Sequence, residues 1–211
     1  MHDPEEEEYS QAAKELDAFY KDEKAVLKRA VDKIFRKGVK EGIDLTLQEC
    51  KNVSGKKILY IGCGIERVPV ELAKRGANMV CIDSSRRTLN MTELIMEKEG
   101  LRNKLTVIND DFATHAFNEK FNLSLALGFL DYTKDASFHI RKMKSLTTEK
   151  CIMSFSSKLA FQVPLRMIWL RSRNLPVYFY TKKELKRLLS NYFSHYKIKN
   201  VNAGYHCVGV V

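Results

Sequence analysis

Glycine and acidic residues follow neighbouring apolar segments, at positions where they could hold a nucleoside. Gly62-Cys63-Gly64 comes directly after the apolar run 57–61, and a predicted helix follows it. Glycines let the backbone approach a ligand closely, and the first turn of a helix presents free N–H groups. Asp83 ends the next apolar run, about 20 residues further on, where a carboxylate can accept from both ribose hydroxyls.

A third polar turn has the same position relative to its strand. Asp110-Asp111-Phe112 follows the predicted strand 105–108. Because the carboxyl ends of parallel strands meet at one edge of a sheet, the three turns are expected to lie together, where such folds bind ligands. Taken alone, Asp83 could equally cap the helix predicted to begin at Ser84-Ser85. The three turns together predict a ligand site.

Short apolar runs alternate with amphipathic segments and predict the elements that position these turns. Several runs are continuously apolar, as in a parallel sheet with helices on both faces. We therefore predict an α/β protein with a doubly wound, seven-stranded, mostly parallel sheet and a C-terminal antiparallel hairpin. The predicted strands are 57–61, 79–82, 105–108, 123–127, 151–155, 194–198 and 206–211, and the predicted helices are 68–75, 85–99, 138–146 and one that opens with a capping box at Thr181.

The first 52 residues differ from the rest and are predicted to be helical, ahead of a sheet domain at 53–211. Apolar residues recur there at three- and four-residue spacing. Gly38 and Gly42 are expected to interrupt this pattern, with another short helix from Ile43 to Cys50. The acidic run 5–8 is expected to be a solvated end.

The composition excludes several classes of protein. A chain of 211 residues with 45% hydrophobic and 29% charged residues is typical of one globular domain and not of a disordered protein. No segment is long and apolar enough for a transmembrane helix, and the acidic start is unlike a signal peptide, so we expect a cytoplasmic protein. The five cysteines lack the spacing of zinc sites or disulfide frameworks, so no metal site is predicted.

The net charge of +10 bears on the choice of partners. Most lysines and arginines are dispersed over predicted helical surfaces, and no aromatic-basic platform is visible, so binding of nucleic acid is not expected. In segment 165–173, Arg166, Arg171 and Arg173 stand among apolar residues. This segment leaves open contact with an amphipathic substrate, peripheral contact with a membrane, or plain packing as a helix over the sheet edge.

Four segments follow one another along the chain in a recognisable order. They are Ile58-Leu59-Tyr60-Ile61-Gly62-Cys63-Gly64, Val80-Cys81-Ile82-Asp83, Asp110-Asp111-Phe112 and Leu127-Gly128-Phe129-Leu130-Asp131-Tyr132. These segments resemble the successive motifs of class I S-adenosylmethionine (SAM)-dependent methyltransferases of the small-molecule type, and the pattern is most similar to the magnesium-protoporphyrin O-methyltransferase-like group. The resemblance covers roughly residues 55–211, and the segment around Tyr20 is similar to the helical lid of small-molecule members, which would make 1–52 an N-terminal lid. It implies a Rossmann-like methyltransferase fold, SAM as cofactor and methyl transfer to O or N of a small molecule.

The resemblance also implies roles for particular residues. Gly62 and Gly64 would line the methionine part of SAM, and Asp83 would hold the ribose. Asp111 with Phe112 would address the adenine, and Leu127 with Gly128 would lie beside the sulfur. The full set expected to bind the cofactor is Tyr20, Tyr60, Gly62, Gly64, Glu66, Asp83, Ser84, Asp111, Phe112, Leu127 and Gly128.

Two residues just past the predicted fourth strand are candidates for the acceptor side and for catalysis. Tyr132 could orient a hydroxyl or amine, and Asp131 could accept a proton. A loop cap explains Asp131 equally well.

Two positions depart from the family pattern. Tyr60 stands where the family usually has an acidic residue that meets the amino end of SAM, and a tyrosine hydroxyl is a weaker, neutral partner. Glu66 replaces the usual third glycine, where its carboxylate would repel that of SAM unless it points to solvent. The alternative is therefore a catalytically silent methyltransferase-like subunit that binds and activates a partner enzyme, so a homo- or hetero-oligomer stays open. An NAD-dependent enzyme fits less well, because the loop lacks the downstream glycine.

Overall fold

The computed structural model describes residues 26–64, 67–158, 177–202 and 204–211, with side chains from residue 38 onward. Tyr20, Glu66 and segment 165–173 lie outside the described residues. The strands are β1 (Lys57–Ile61), β2 (Asn78–Asp83), β3 (Leu105–Asn109), β4 (Phe121–Ala126), β5 (Thr147–Ser156), β6 (His195–Val201) and β7 (Gly204–Val210). The helices are α1 (Val26–Glu49), α2 (Val68–Lys74), α3 (Arg86–Lys98), α4 (Ala136–Leu146) and α5 (Lys182–Ser190).

The seven strands form one sheet in the order β3-β2-β1-β4-β5-β7-β6. The pairs among β1 to β5 are parallel, whereas β7 is antiparallel to both β5 and β6. The chain order reverses between β1 and β4, and at such a switch point doubly wound sheets form their ligand-binding crevice outside the carboxyl ends of the strands. This architecture confirms the doubly wound sheet and the C-terminal hairpin predicted from the sequence.

Helices cover both faces of the sheet, which explains why β1 is apolar at consecutive positions. Ile58 and Tyr60 enter a core that also contains residues of α2 and α3. Leu59 and Ile61 enter a second core with residues of α4 and α5. Since successive side chains of a strand point to opposite faces, a strand buried on both sides needs apolar residues throughout.

Side-chain caps set the starts of three helices close to the predicted positions. Ser85 caps α3 by accepting from the N–H of Thr88, and Asp135 caps α4 by accepting from Phe138. Thr181 and Glu184 form the predicted capping box of α5. Because caps are local signals, the sequence located these boundaries well.

The helix α1 differs from its prediction, because it runs without interruption through Gly38 and Gly42. A glycine inside a helix costs about 1 kcal/mol relative to alanine, which packing can outweigh. Gly38 is buried, and α1 contacts α2, β6 and β7. The hydroxyl of Thr46 also donates to the carbonyl oxygen of Gly42 over 2.9 Å. The two predicted pieces are therefore one helix. No helix in the described ranges is both long and apolar enough to cross a membrane.

Candidate cofactor and acceptor site

The turn after β1 brings two glycines with left-handed backbone to the crevice. Their φ angles are +61° for Gly62 and +56° for Gly64, a region that side chains disfavour. A Cβ on Gly62 would lie 2.7 Å from Cδ2 of Phe129, whereas a Cβ on Gly64 would meet no atom of the described residues beyond its chain neighbours within 4 Å. Packing therefore requires glycine at position 62, whereas at position 64 the requirement comes from the left-handed backbone.

Asp83 lies next to this turn, at the end of the neighbouring strand. Ile61 pairs with Ile82, and the N–H of Gly62 donates to the carbonyl oxygen of Ile82 over 2.9 Å. One carboxylate oxygen of Asp83 accepts from the N–H of Ser85 at 2.9 Å. The other oxygen has no hydrogen-bond partner among the described residues. Asp83 thus stabilises its own turn and keeps one oxygen available for a ligand, so the two explanations considered from the sequence are compatible.

Asn109 ties the end of β3 to the Asp83 turn. Its amide group donates to the carbonyl oxygens of Asp83 at 3.1 Å and of Ser84 at 3.2 Å. The side chain of Ser84 is exposed beside this contact. The turns after β2 and β3 are therefore held side by side, as the sequence analysis expected.

The turn after β3 is organised by its own carboxylates. Asp110 accepts from the N–H of Asp111 and from Nδ1 of His115, both at 2.8 Å, and the histidine bond holds the pKa of Asp110 below its usual value. One oxygen of Asp111 accepts from the N–H of Ala113 at 2.8 Å. Within the described part of the chain, the other oxygen of Asp111 and the N–H of Phe112 have no partner. A donor and an acceptor on adjacent residues suit the edge of an adenine ring.

The remaining cofactor candidates have mixed surroundings. Tyr60 is fully buried, and its ring packs in the core on the α2 and α3 face of the sheet. Leu127 is buried, and Gly128 is exposed with a φ of +69° and donates its N–H to the hydroxyl of Ser154 at 2.7 Å. The contacts of Tyr60, Leu127 and Gly128 with SAM stay predictions.

Asp131 and Tyr132 follow β4 but differ in exposure. Asp131 is 3% exposed, and its carboxylate accepts from the N–H of Ser156 at 2.7 Å and from the Ser156 hydroxyl at 2.6 Å. Its carbonyl oxygen accepts from the N–H of Tyr178 at 2.7 Å. These bonds favour a structural role for Asp131 over proton transfer. Tyr132 is 41% exposed and ends the short helical turn Leu130–Tyr132 that follows β4.

Two residues near the site were not identified from the sequence. Phe129 packs against Gly62, and Lys142 of α4 donates to carbonyl oxygens in the turn after β3. Phe129 belongs to the motif after β4, so its position was a usable signal. Lys142 looks like an ordinary surface lysine in the sequence, because its acceptors are distant backbone atoms.

The chain is similar in sequence to known methyltransferases. It is 30% identical over 121 residues to the ubiquinone biosynthesis O-methyltransferase of Actinobacillus pleuropneumoniae serotype 7, an alignment covering 54% of this chain and 51% of that protein. It is 28% identical over 95 residues to the Pseudomonas fluorescens protein of the same name, covering 45% and 41%. The chain thus spans about half the length of these relatives, or less. No family model matches it.

Solved structures share the fold. Magnesium protoporphyrin IX methyltransferase from Synechocystis, with bound S-adenosylhomocysteine (SAH), has a TM-score of 0.68 at 18% identity, over 89% of this chain and 88% of that one. An O-methyltransferase family 2 protein from Planctomyces limnophilus, in complex with apigenin, has a TM-score of 0.61 at 15% identity, over 75% and 51%. The chain is thus similar in sequence to O-methyltransferases over about half of its length, and it shares the fold of solved methyltransferase structures.

Proposed function

We propose that this chain binds SAM at the carboxyl edge of β1 and β2 and transfers a methyl group to an oxygen of a small molecule. The convergence of the Gly62–Gly64 turn and Asp83 on one crevice carries this proposal. The unpaired oxygen of Asp83 adds a polar group that a ribose can satisfy. Transfer to oxygen is favoured because the relatives in sequence are named as O-methyltransferases.

Each turn of the crevice would hold a different part of the cofactor. The glycine turn would take the amino-acid end, Asp83 the ribose, and Asp111 with the N–H of Phe112 the adenine. The bound cofactor supplies an electrophilic methyl group on a sulfonium sulfur. The chain's own residues then need mainly to align the acceptor and exclude water, since alignment alone can supply much of the rate.

The acceptor suited best to this site is a phenolic hydroxyl. The carboxylate of Asp131 is engaged by Ser156 and is poorly placed to remove a proton. An acceptor that ionises readily needs less help from a general base, and a phenol is such a group. Tyr132, exposed beside Asp131, would orient the acceptor oxygen. The relatives in sequence are named for ubiquinone biosynthesis, and this supports an aromatic acceptor.

Isothermal titration with SAH tests the cofactor part of the proposal, with NAD⁺ as the control nucleotide. We expect SAH to bind and NAD⁺ not to bind. Absence of SAH binding at millimolar concentration would exclude the proposed enzyme. Methyl transfer from SAM to a panel of phenols and catechols, detected by mass spectrometry, then tests the acceptor class.

The silent-subunit alternative is motivated by Tyr60 and Glu66, but the relatives named as enzymes do not favour it. It predicts that the purified chain has no activity alone and elutes with a partner in size-exclusion chromatography.

Tyr60→Phe tests whether the tyrosine hydroxyl contacts the cofactor, because this variant removes only the hydroxyl and keeps the ring that is buried in the core. If the hydroxyl meets the amino end of the cofactor, this variant weakens SAH but not 5′-methylthioadenosine, which lacks that end. The cytoplasmic location and a protein partner remain predictions.

A further inference from the structure

Lys142 of α4 contacts the turn after β3 through hydrogen bonds and through two aromatic rings. Its Nζ donates to the carbonyl oxygens of Ala113 at 3.0 Å and His115 at 2.7 Å. The same ammonium lies 5.1 Å from the centre of the Phe112 ring and 5.9 Å from that of Phe117, within the range of cation–π attraction. One side chain of α4 therefore contacts the turn at four places.

Two carboxylates near Lys142 favour its charged form. Partial burial lowers the pKa of Lys142, and the carboxylates of Asp111 and Asp110 oppose that effect by favouring the ammonium. The two adjacent carboxylates repel each other, so a cation beneath them stabilises the compact form of the turn. His115, which also faces this group, is already bonded to Asp110.

The ring of Phe112 connects the turn after β3, through Phe129, to the glycine turn after β1. It is buried against Phe129 in an edge-to-face contact at 6.3 Å and against His139 in a stacked contact at 6.1 Å. Phe129 in turn packs on Gly62. The position of the turn after β3 is thus set jointly by Lys142 and by the aromatic residues that pack against Phe112.

We propose that Lys142 is a positioning residue for the adenine end of the cofactor, a role that rests on the proposed SAM site. It fixes the backbone at residues 111–115, which carries the carboxylate of Asp111 and the N–H of Phe112. Without the ammonium, the turn loses two hydrogen bonds and the neutralisation of its carboxylates. The cofactor would then have to order the turn on binding, at a cost in affinity.

The test compares Lys142→Met with Lys144→Met by isothermal titration with SAH. Lys144 is a matched control on the same helix, because its Nζ donates to the carbonyl oxygen of Tyr192 at 2.6 Å and lies 5.9 Å from the Phe193 ring. We expect Lys142→Met to weaken SAH about tenfold or more and Lys144→Met to leave its affinity unchanged. The loss should be equally large for 5′-methylthioadenosine, which keeps the adenine and ribose. Lys142→Arg, which keeps a cation, should recover part of the affinity.

Three results would overturn the proposal. The first is wild-type affinity in folded Lys142→Met, and the second is an equal loss in both methionine variants, which would indicate general destabilisation. The third is a loss for SAH that is absent for 5′-methylthioadenosine. If Lys142→Met does not fold, Lys142→Gln supplies the same comparison. Failure of the wild-type chain to bind SAH would instead contradict the proposed function itself.

Discussion

The carboxylate of Asp131 accepts two buried hydrogen bonds from a single residue, Ser156, through its N–H and its hydroxyl. The N–H of Tyr180 donates to the carbonyl oxygen of Ser156, and the N–H of Tyr178 donates to that of Asp131. The segments that contain Asp131, Ser156 and Tyr178–Tyr180 are therefore tied together at the carboxyl edge of the sheet. This arrangement makes Asp131 a structural support at the carboxyl edge of the sheet.

Asp131→Asn should destabilise the fold with little effect on the cofactor. Asparagine presents an oxygen to one donor of Ser156 and an NH₂ group to the other, so one buried donor loses its acceptor. We expect the free energy of unfolding to fall by about 1–3 kcal/mol, measured by urea denaturation. Ser156→Ala, which removes only the hydroxyl donor, is the control and should cost less. SAH affinity should stay close to that of the wild type, and a large loss of it would contradict this role.

Gly62→Ala and Gly64→Ala should differ in stability although both positions have positive φ. The left-handed backbone costs about 1–2 kcal/mol in each variant. Only the new methyl group at position 62 would overlap Phe129, and overpacking adds about 1–3 kcal/mol. Urea denaturation should therefore rank Gly62→Ala below Gly64→Ala, with partial recovery in Gly62→Ala/Phe129→Leu. Equal stability of the two single variants would rule out the contact.

Asp83→Asn should weaken the cofactor without unfolding the protein. The asparagine oxygen can still accept from the N–H of Ser85, but the unpaired oxygen and the charge are lost. A hydrogen bond to a charged group contributes about 1.5–3 kcal/mol, so we expect roughly 10- to 100-fold weaker SAH binding by titration calorimetry. Asp135→Asn is the control, because Asp135 caps α4 in a similar way outside the proposed cofactor contacts. The idea fails if both variants bind SAH like the wild type.

His206 should make the stability of the fold depend on pH. Its Nε2 lies 3.1 Å from the hydroxyl of Thr46, and burial lowers the pKa of His206 to about 4, with Glu49 opposing the shift. Because the Thr46 hydroxyl donates to Gly42, Nε2 must carry the proton of the neutral ring.

Between pH 6.5 and 4, the unfolded chain therefore binds the second proton of the ring, which goes to Nδ1, more tightly than the folded chain does. The contribution of His206 is complete above pH 6.5 and is lost as the pH falls towards 4, by about 3 kcal/mol in total. Urea denaturation from pH 7.5 to 4.5 measures the loss, and His206→Gln, which keeps a donor near Thr46, should show a shallower decline. Parallel declines would show that other groups dominate.

Local signals in the sequence were sufficient for most elements and for the order of the turns. Apolar runs located β1 to β4, and the cap residue Ser85 and the Thr181–Glu184 capping box located helix starts. The sequence missed the polar beginning of β5 and the continuity of α1, because both depend on neighbours supplied by other elements.

The sequence by itself determined the sheet, the glycine turn and the place of Asp83, because periodicity, caps and turn residues act within a few positions of the chain. Only the tertiary structure decided what Asp131 and Lys142 do. Ser156, the partner of Asp131, lies 25 residues away in the chain, and Ala113, one partner of Lys142, lies 29 residues away. Several of the partner atoms belong to the backbone, which is the same for every residue type. A hydrogen bond between residues distant in the chain leaves no pattern in the sequence, so only packing shows that Ser156 holds the carboxylate of Asp131 and that Lys142 contacts the turn after β3.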